Sequence, residues 1–176
     1  MRRGGALALA ASLVGALGGC GYALEGRGIT TDPSIRRIGV PLFVDRTGRI
    51  DLDARVTESV IDELLKRGRF TVVKETAGVD AVVDGEIVSF DAVPVNFTEG
   101  GGQTQATRYA ITLTASVTYR KVGQREPLWA NDSFTVRDEY DMDETATGYF
   151  DREEQSIERL SEAFARGLVS AMLEAF

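Results

Sequence analysis

The stretch "RYAITLTASVTYR", Arg108 to Arg120, decides the fold. Its residues alternate strictly. Tyr109, Ile111, Leu113, Ala115, Val117 and Tyr119 fall on one face, and Ala110, Thr112, Thr114, Ser116 and Thr118 on the other. Period two is the repeat of a β-strand, whose side chains point to opposite faces in turn. One apolar face and one hydroxyl-rich face describe a strand of a half-covered sheet, packed on a core on one side and open on the other.

Downstream, "KVGQREP" reads as a turn and Leu128 to Arg137 as the last strand, with Phe134 and Val136 inward. Upstream, "TEGGGQTQAT" (Thr98 to Thr107) is expected to be a flexible link, because its glycines and polar residues carry no periodicity. "AVVDGEIVSFDAVPV" is a long strand with Gly85 as a close-approach site, and "RFTVVKE" a short one. "IRRIGVPLFV" (Ile35 to Val44) is a first strand whose Pro41 predicts an edge position or a bulge, and "DRTGRID" is a loop.

Two segments have helical spacing. Leu52 to Arg67 carries Leu52, Val56, Val60, Ile61 and Leu64 as a stripe, and Gly68 is its natural stop. After an acidic linker within Arg137 to Glu154, a last helix is expected from about Arg152 to the C-terminus. Its stripe is Ile157, Leu160, Phe164, Leu168, Ala171 and Met172, and Asp151 with Glu154 resembles a capping box. The order is β-α-β-β-β-β-α. The expectation is an α+β domain, with two amphipathic helices on one face of a mixed, mostly antiparallel sheet of four to five strands.

The N-terminus carries a different signal. Met1-Arg2-Arg3 is basic, Ala6 to Leu17 is nearly all apolar, and Leu17-Gly18-Gly19 precede Cys20, the only cysteine in the chain. This is the layout of a secretory leader, and its apolar run is shorter than the roughly 20 residues a bilayer span needs. The leucine and two glycines before cysteine resemble a bacterial lipobox. That resemblance implies a signal peptide over 1–19, lipidation at Cys20 and a lipidated tether over 20–33, and the remaining 34–176 has the length of one domain with its own core. Gly21 after the cysteine favours export to the outer membrane, by resemblance to enteric lipoproteins. Acyl chains hold because each buried methylene contributes about 0.8 kcal/mol.

Composition narrows the chemistry. The chain has 20 basic and 27 acidic residues, a net charge of -7, and loss of Arg2 and Arg3 makes it more negative still. Such a balance argues against nucleic acid, whose binding comes largely from neutralised phosphates. There is no histidine, which removes Ser-His-Asp and Cys-His catalysis and His-ligated metals. One cysteine cannot form a disulfide within the chain or a zinc site. Glu99 to Gln103 lacks the lysine and the following helix of a phosphate loop. The acidic run does not match a calcium loop. Asp84 and Glu86 share a strand face, but nothing sets them across a cleft as a catalytic pair. The expectation is no enzyme, no cofactor and no metal. Arg108, Arg120, Lys121 and Arg125 gather near strand ends and are the candidate contacts to an anionic head group.

"CGYALEG" at Cys20, then "IRRIGVPLFVDRTGRIDLDARVTESVIDELLKRGRFTVV", then "GVDAVVDGEIVSF" and a Gly/Gln hairpin into "TRYAITLTASVTYR" resemble the LptE family. Its members are lipoprotein partners of the outer-membrane lipopolysaccharide-assembly barrel LptD. The resemblance implies a two-helix domain seated as a plug in that barrel. It would help the barrel assemble, bind lipopolysaccharide and aid its transport to the outer leaflet, without catalysis. It places the protein in the outer membrane, lipid-anchored, facing the periplasm and the barrel lumen, in a heterodimer with LptD. Characterised enteric members place a base at the hairpin tip to contact lipopolysaccharide. Here the tip reads Thr98-Glu99-Gly100-Gly101-Gly102, with Arg108 the nearest base.

The first half also resembles LpoB-like activators of peptidoglycan synthases and CsgG-like secretion components, outer-membrane lipoproteins acting on a periplasmic enzyme or a secretion complex. Against the first stands the short tether, about a dozen residues where a long disordered one is usual. Against the second stands the Thr/Ser row, which is not the apolar face a membrane hairpin needs.

Overall fold

The computed structural model describes residues 32–100, 103–141 and 146–174, with the backbone alone described at 99–100, 103–105 and 146–151. The leader, Cys20 and the tether up to residue 31 lie outside the described residues. The elements are β1 (Arg37–Gly39), β2 (Val44–Asp45), α1 (Leu52–Lys66), β3 (Thr71–Val73), β4 (Ala81–Gly100), β5 (Gln103–Lys121), β6 (Trp129–Asp141) and α2 (Ala146–Glu174). The six strands form one sheet in the order β3-β1-β4-β5-β6, with β2 also on β4. β1, β2 and β3 pair in parallel, and the long β4-β5-β6 meander is antiparallel. The fold is α+β, as the alternation predicts.

Both helices pack on one face. On β5 that face is Ile111, Leu113, Ala115, Val117 and Tyr119, all buried. They share a core with Leu52, Val56, Val60 and Leu64 of α1 and Leu160, Phe164, Leu168 and Met172 of α2. Phe134 of β6 meets Phe164 of α2 edge to face, centroids 5.3 Å apart, a geometry that favours the ring quadrupoles.

Six strands stand where four to five are expected, because Pro41 divides the first one. Gly39 pairs with Val82 and Val44 with Glu86, five residues along one chain against four along the other. The stretch around Pro41 therefore holds one extra residue, a bulge, and β1 is an interior strand and not an edge. The amide of Phe43, inside that interruption, donates instead to Thr57 Oγ1 at 3.0 Å. Thr57 in turn donates to the Asp53 carbonyl at 2.6 Å, so a buried threonine ties α1 to the bulge.

Three further expectations are corrected. Thr98 to Thr107 is not a link. β4 runs to Gly100 and β5 starts at Gln103, with Thr98 opposite Gln105 and Glu99 opposite Thr104. Both faces there are polar, so the ladder leaves no hydrophobic alternation to read. The last strand does not stop at Arg137 before an acidic linker but continues to Asp141. Tyr140 is buried and stacks on Tyr109, centroids 5.9 Å apart, while Asp138, Glu139 and Asp141 are held by Arg159, Arg137 and Arg108. Finally, α2 starts at Ala146, so Asp151 sits within the helix and does not cap it. Gly148, which weakens the sequence signal, costs a helix only about 1 kcal/mol.

Candidate functional site

The face of the sheet away from the helices is the candidate site. Asp84 and Glu86 of β4, the Thr112-Thr114-Ser116-Thr118 row of β5, and Thr135, Arg137 and Glu139 of β6 lie on it by register. None of these is buried. The face is laced crosswise. Arg120 Nε donates to Asp84 Oδ2 at 3.0 Å, Arg46 Nε to Glu86 at 2.8 Å, and Arg137 Nη2 to Glu139 at 2.9 Å. Thr114 and Thr135 share a hydroxyl contact of 3.1 Å. Such exposed pairs contribute little stability each, but from Thr112 to Arg120 of β5 they leave an uncovered sheet whose charges are largely paired.

The four bases picked from the sequence do not form one site. Arg108 and Arg120 share the open face but stand about 40 Å apart along β5, at about 3.3 Å per residue. Arg108 donates to Asp141 at 2.8 Å, and that carboxylate raises the guanidinium's already high pKa. Lys121 turns to the other face, where its ammonium meets Asp32 at 2.5 Å and Ser34 Oγ at 2.7 Å. Arg125 lies exposed in the turn between β5 and β6. Arg120 and Arg125 are therefore near one another at one end of the sheet, with Arg108 at the other. The pairing of Arg120 with Asp84 was beyond sequence reasoning, because it depends on the β4-β5 register.

Asp84 and Glu86 point outward to Arg120 and Arg46, with no cleft between them. Among the described residues no cluster could hold a metal ion. A cavity of about 330 Å³ opens at the start of α1, lined by Arg49, Ile50, Leu52, Arg55, Glu153 and Ile157 among others. Its guanidiniums are already engaged: Arg49 pairs with Glu153 and caps the Phe90 ring at 4.3 Å, and Arg55 pairs with Glu154 at 2.5 Å. This hollow is a charged seam between the helices, and nothing in it is arranged for catalysis.

The N-terminal end of the described chain is pinned beside Lys121. The Asp32 carboxyl is held well below the usual carboxylate range by hydrogen bonds from Lys121 and Ser34. Asp80 is also lowered, because it accepts the amides of Arg36 and Arg37 at 2.9 and 2.8 Å. Tyr119 is pushed up to about 12 by burial, with the nearby charge of Asp32 adding to it.

A family model described as LptE, lipopolysaccharide-assembly, matches residues 35–172. The chain belongs to the LptE family. The match spans every described element, from the residues before β1 nearly to the end of α2. Among solved structures, the rare lipoprotein B from Shewanella oneidensis is similar at 14% identity and a TM-score of 0.53, over 80% of this chain and 96% of that one. Lipoprotein B from Nitrosomonas europaea, described as uncharacterized, is similar at 12% identity and a TM-score of 0.54, over 80% and 86%. At these identities the two structures show the fold alone. No match was found among curated proteins.

Membership of the LptE family makes this a lipopolysaccharide-assembly lipoprotein and not an enzyme. No helix among the described residues is long and apolar enough to cross a membrane.

Proposed function

We propose that this LptE-family chain is anchored in the outer membrane through an acylated Cys20, with 1–19 removed as a signal peptide and 20–33 as the tether of a single domain over 34–176. The domain plugs the LptD barrel, helps it assemble and binds lipopolysaccharide on its way to the outer leaflet. The observation that carries the reading is the open sheet face. Barrel lumens are polar, and a sheet whose uncovered side presents a threonine and serine row between largely paired charges suits such a wall, with Asp91 a carboxylate on that side left without an ion pair among the described residues. The helices, on the opposite side, supply the core on which the sheet packs.

Lipopolysaccharide contact falls to Arg108, Arg120, Lys121 and Arg125. Arg125 is exposed, and Arg120 can exchange Asp84 for a phosphate, since guanidinium binds either in the same forked geometry. Lys121, engaged with Asp32, supports that end of the sheet mainly through its charge.

The test is co-purification of the full-length chain with LptD from detergent-extracted outer membranes, followed by lipopolysaccharide capture on the isolated chain. Double charge reversal of Arg120 and Arg125 is expected to weaken capture about tenfold while leaving LptD bound. Undiminished capture overturns the assignment of those bases.

A further inference from the structure

β4 has a bare edge. β2 leaves the sheet after Asp45, and its line ends where the Arg46 amide donates to the Ile87 carbonyl at 3.0 Å. From Val88 to Gly100, β4 has β5 on one side and, among the described residues, no strand on the other. The Ile87 carbonyl fixes which backbone groups face that side. A register shift between Ile87 and Ser89 adds Val88 as an extra residue. Alternation resumed after it turns Phe90 and Ala92 to the bare side and Ser89, Asp91 and Val93 toward β5. Pro94 also falls on the bare side, where its missing N–H takes no bond from the ladder.

The side chains along this edge are unlike the rest of the sheet. Val88, Val93, Val95 and Phe97 are each between 39% and 54% exposed. Asp91 is exposed and has no hydrogen bond or ion pair among the described residues, whereas Asp84 and Glu86 on the same strand are held by Arg120 and Arg46. A bare row of backbone donors and acceptors is matched by another extended backbone. An unpaired carboxylate between valines selects a basic residue between apolar ones.

We propose that a short extended segment of a partner protein, with one lysine or arginine flanked by apolar residues, adds as a strand along Phe90 to Pro94 and continues the line that β2 begins. Its base meets Asp91, and its apolar neighbours cover Val88 and Val93. A second copy of this chain is the poorer guest. It would set its own Asp91 near this one, and Pro94 and the irregular register around Asn96 blunt the edge against a long, flat strand. The inference is independent of the lipopolysaccharide reading, since it concerns the isolated chain and a peptide.

The experiment uses two synthetic eight-residue probes of alternating valine and threonine, one with a central lysine and one with glutamate there. Each is titrated into the isotope-labelled chain. The lysine probe is expected to shift the amides of Phe90 and Ala92 and slow their hydrogen exchange, and to bind at least tenfold more tightly than its twin. Asp91→Lys should invert that preference. Ala92→Pro, which deletes an N–H facing a side with no strand among the described residues, should abolish binding while the rest of the spectrum stays native. Unmoved Phe90 and Ala92 amides at millimolar lysine probe, or a preference that Asp91→Lys leaves intact, overturn the proposal.

Discussion

The ring of Phe43 lies against the backbone of Gly85, so close that a Cβ on Gly85 would stand 2.2 Å from Phe43 Cε2. Phe43 is buried in the bulge between β1 and β2, and Gly85 is the position on β4 that receives it. Gly85→Ala is expected to destabilise the domain by about 1–3 kcal/mol, the range for overpacking a rigid site. Phe43→Ala alone should cost about 3–5 kcal/mol. The double variant should be less destabilised than the sum of the two, since the residues share one contact. Urea unfolding of all four proteins measures this coupling, and strict additivity would refute it.

Phe164 should be the residue that docks α2. It is fully buried and meets Phe134 edge to face. Phe164→Ala is expected to cost about 3–5 kcal/mol, and Phe134→Ala less, because Phe134 is only half-buried. Loss of near-ultraviolet ellipticity with helical content retained would show α2 undocked but formed. An unchanged unfolding midpoint for Phe164→Ala contradicts this packing.

Acid should loosen the N-terminal end of the domain first. Asp32 and Asp80 have folded pKa values depressed below the ordinary value of 3.8 by their hydrogen bonds to Lys121 and Ser34 and to the Arg36 and Arg37 amides. A depressed carboxyl contributes stability above its unfolded pKa, and that contribution is lost as pH falls through the folded value. Stability should therefore fall below about pH 4, the ordinary carboxylate range. The fall should be shallower in Asp80→Asn. Equal slopes in the two proteins would remove Asp80 from the account.

Much of this architecture is legible in the residues. The Arg108 to Arg120 alternation places the open and covered faces of β5, with Ala110 the open-face position that is nonetheless buried, because period two survives wherever one face is buried. The helix stripes are read for the same reason, and Gly68 ends α1 at a φ of 69° that suits glycine. What stays hidden depends on partners distant in sequence. Glu99 joins the ladder because Thr104 is opposite it, and Asp141 because Arg108 is. Neither stretch has an apolar face to announce a strand. At the candidate site, the sequence picks out Arg108 and Arg120, while register alone shows that acids hold both and that they stand at opposite ends of the sheet. The bare edge of β4 is equally silent, since nothing in "VSFDAVPV" tells that β2 ends at Asp45.

The anchor is tested apart from the fold. Cys20→Ala is expected to move the protein from the membrane to the soluble periplasmic fraction, unless LptD retains it. Mass spectrometry of the native protein should show Cys20 as its acylated first residue. An intact Met1 with a free thiol contradicts the lipobox reading.

The most direct measurement is the composition of the complex drawn from detergent-extracted outer membranes on the full-length, tagged chain. The account predicts LptD in equal amount with it, and predicts that cross-linkers placed at Thr114 and Ser116 on the open face reach the barrel wall. A preparation that lacks LptD yet retains a peptidoglycan synthase would contradict it.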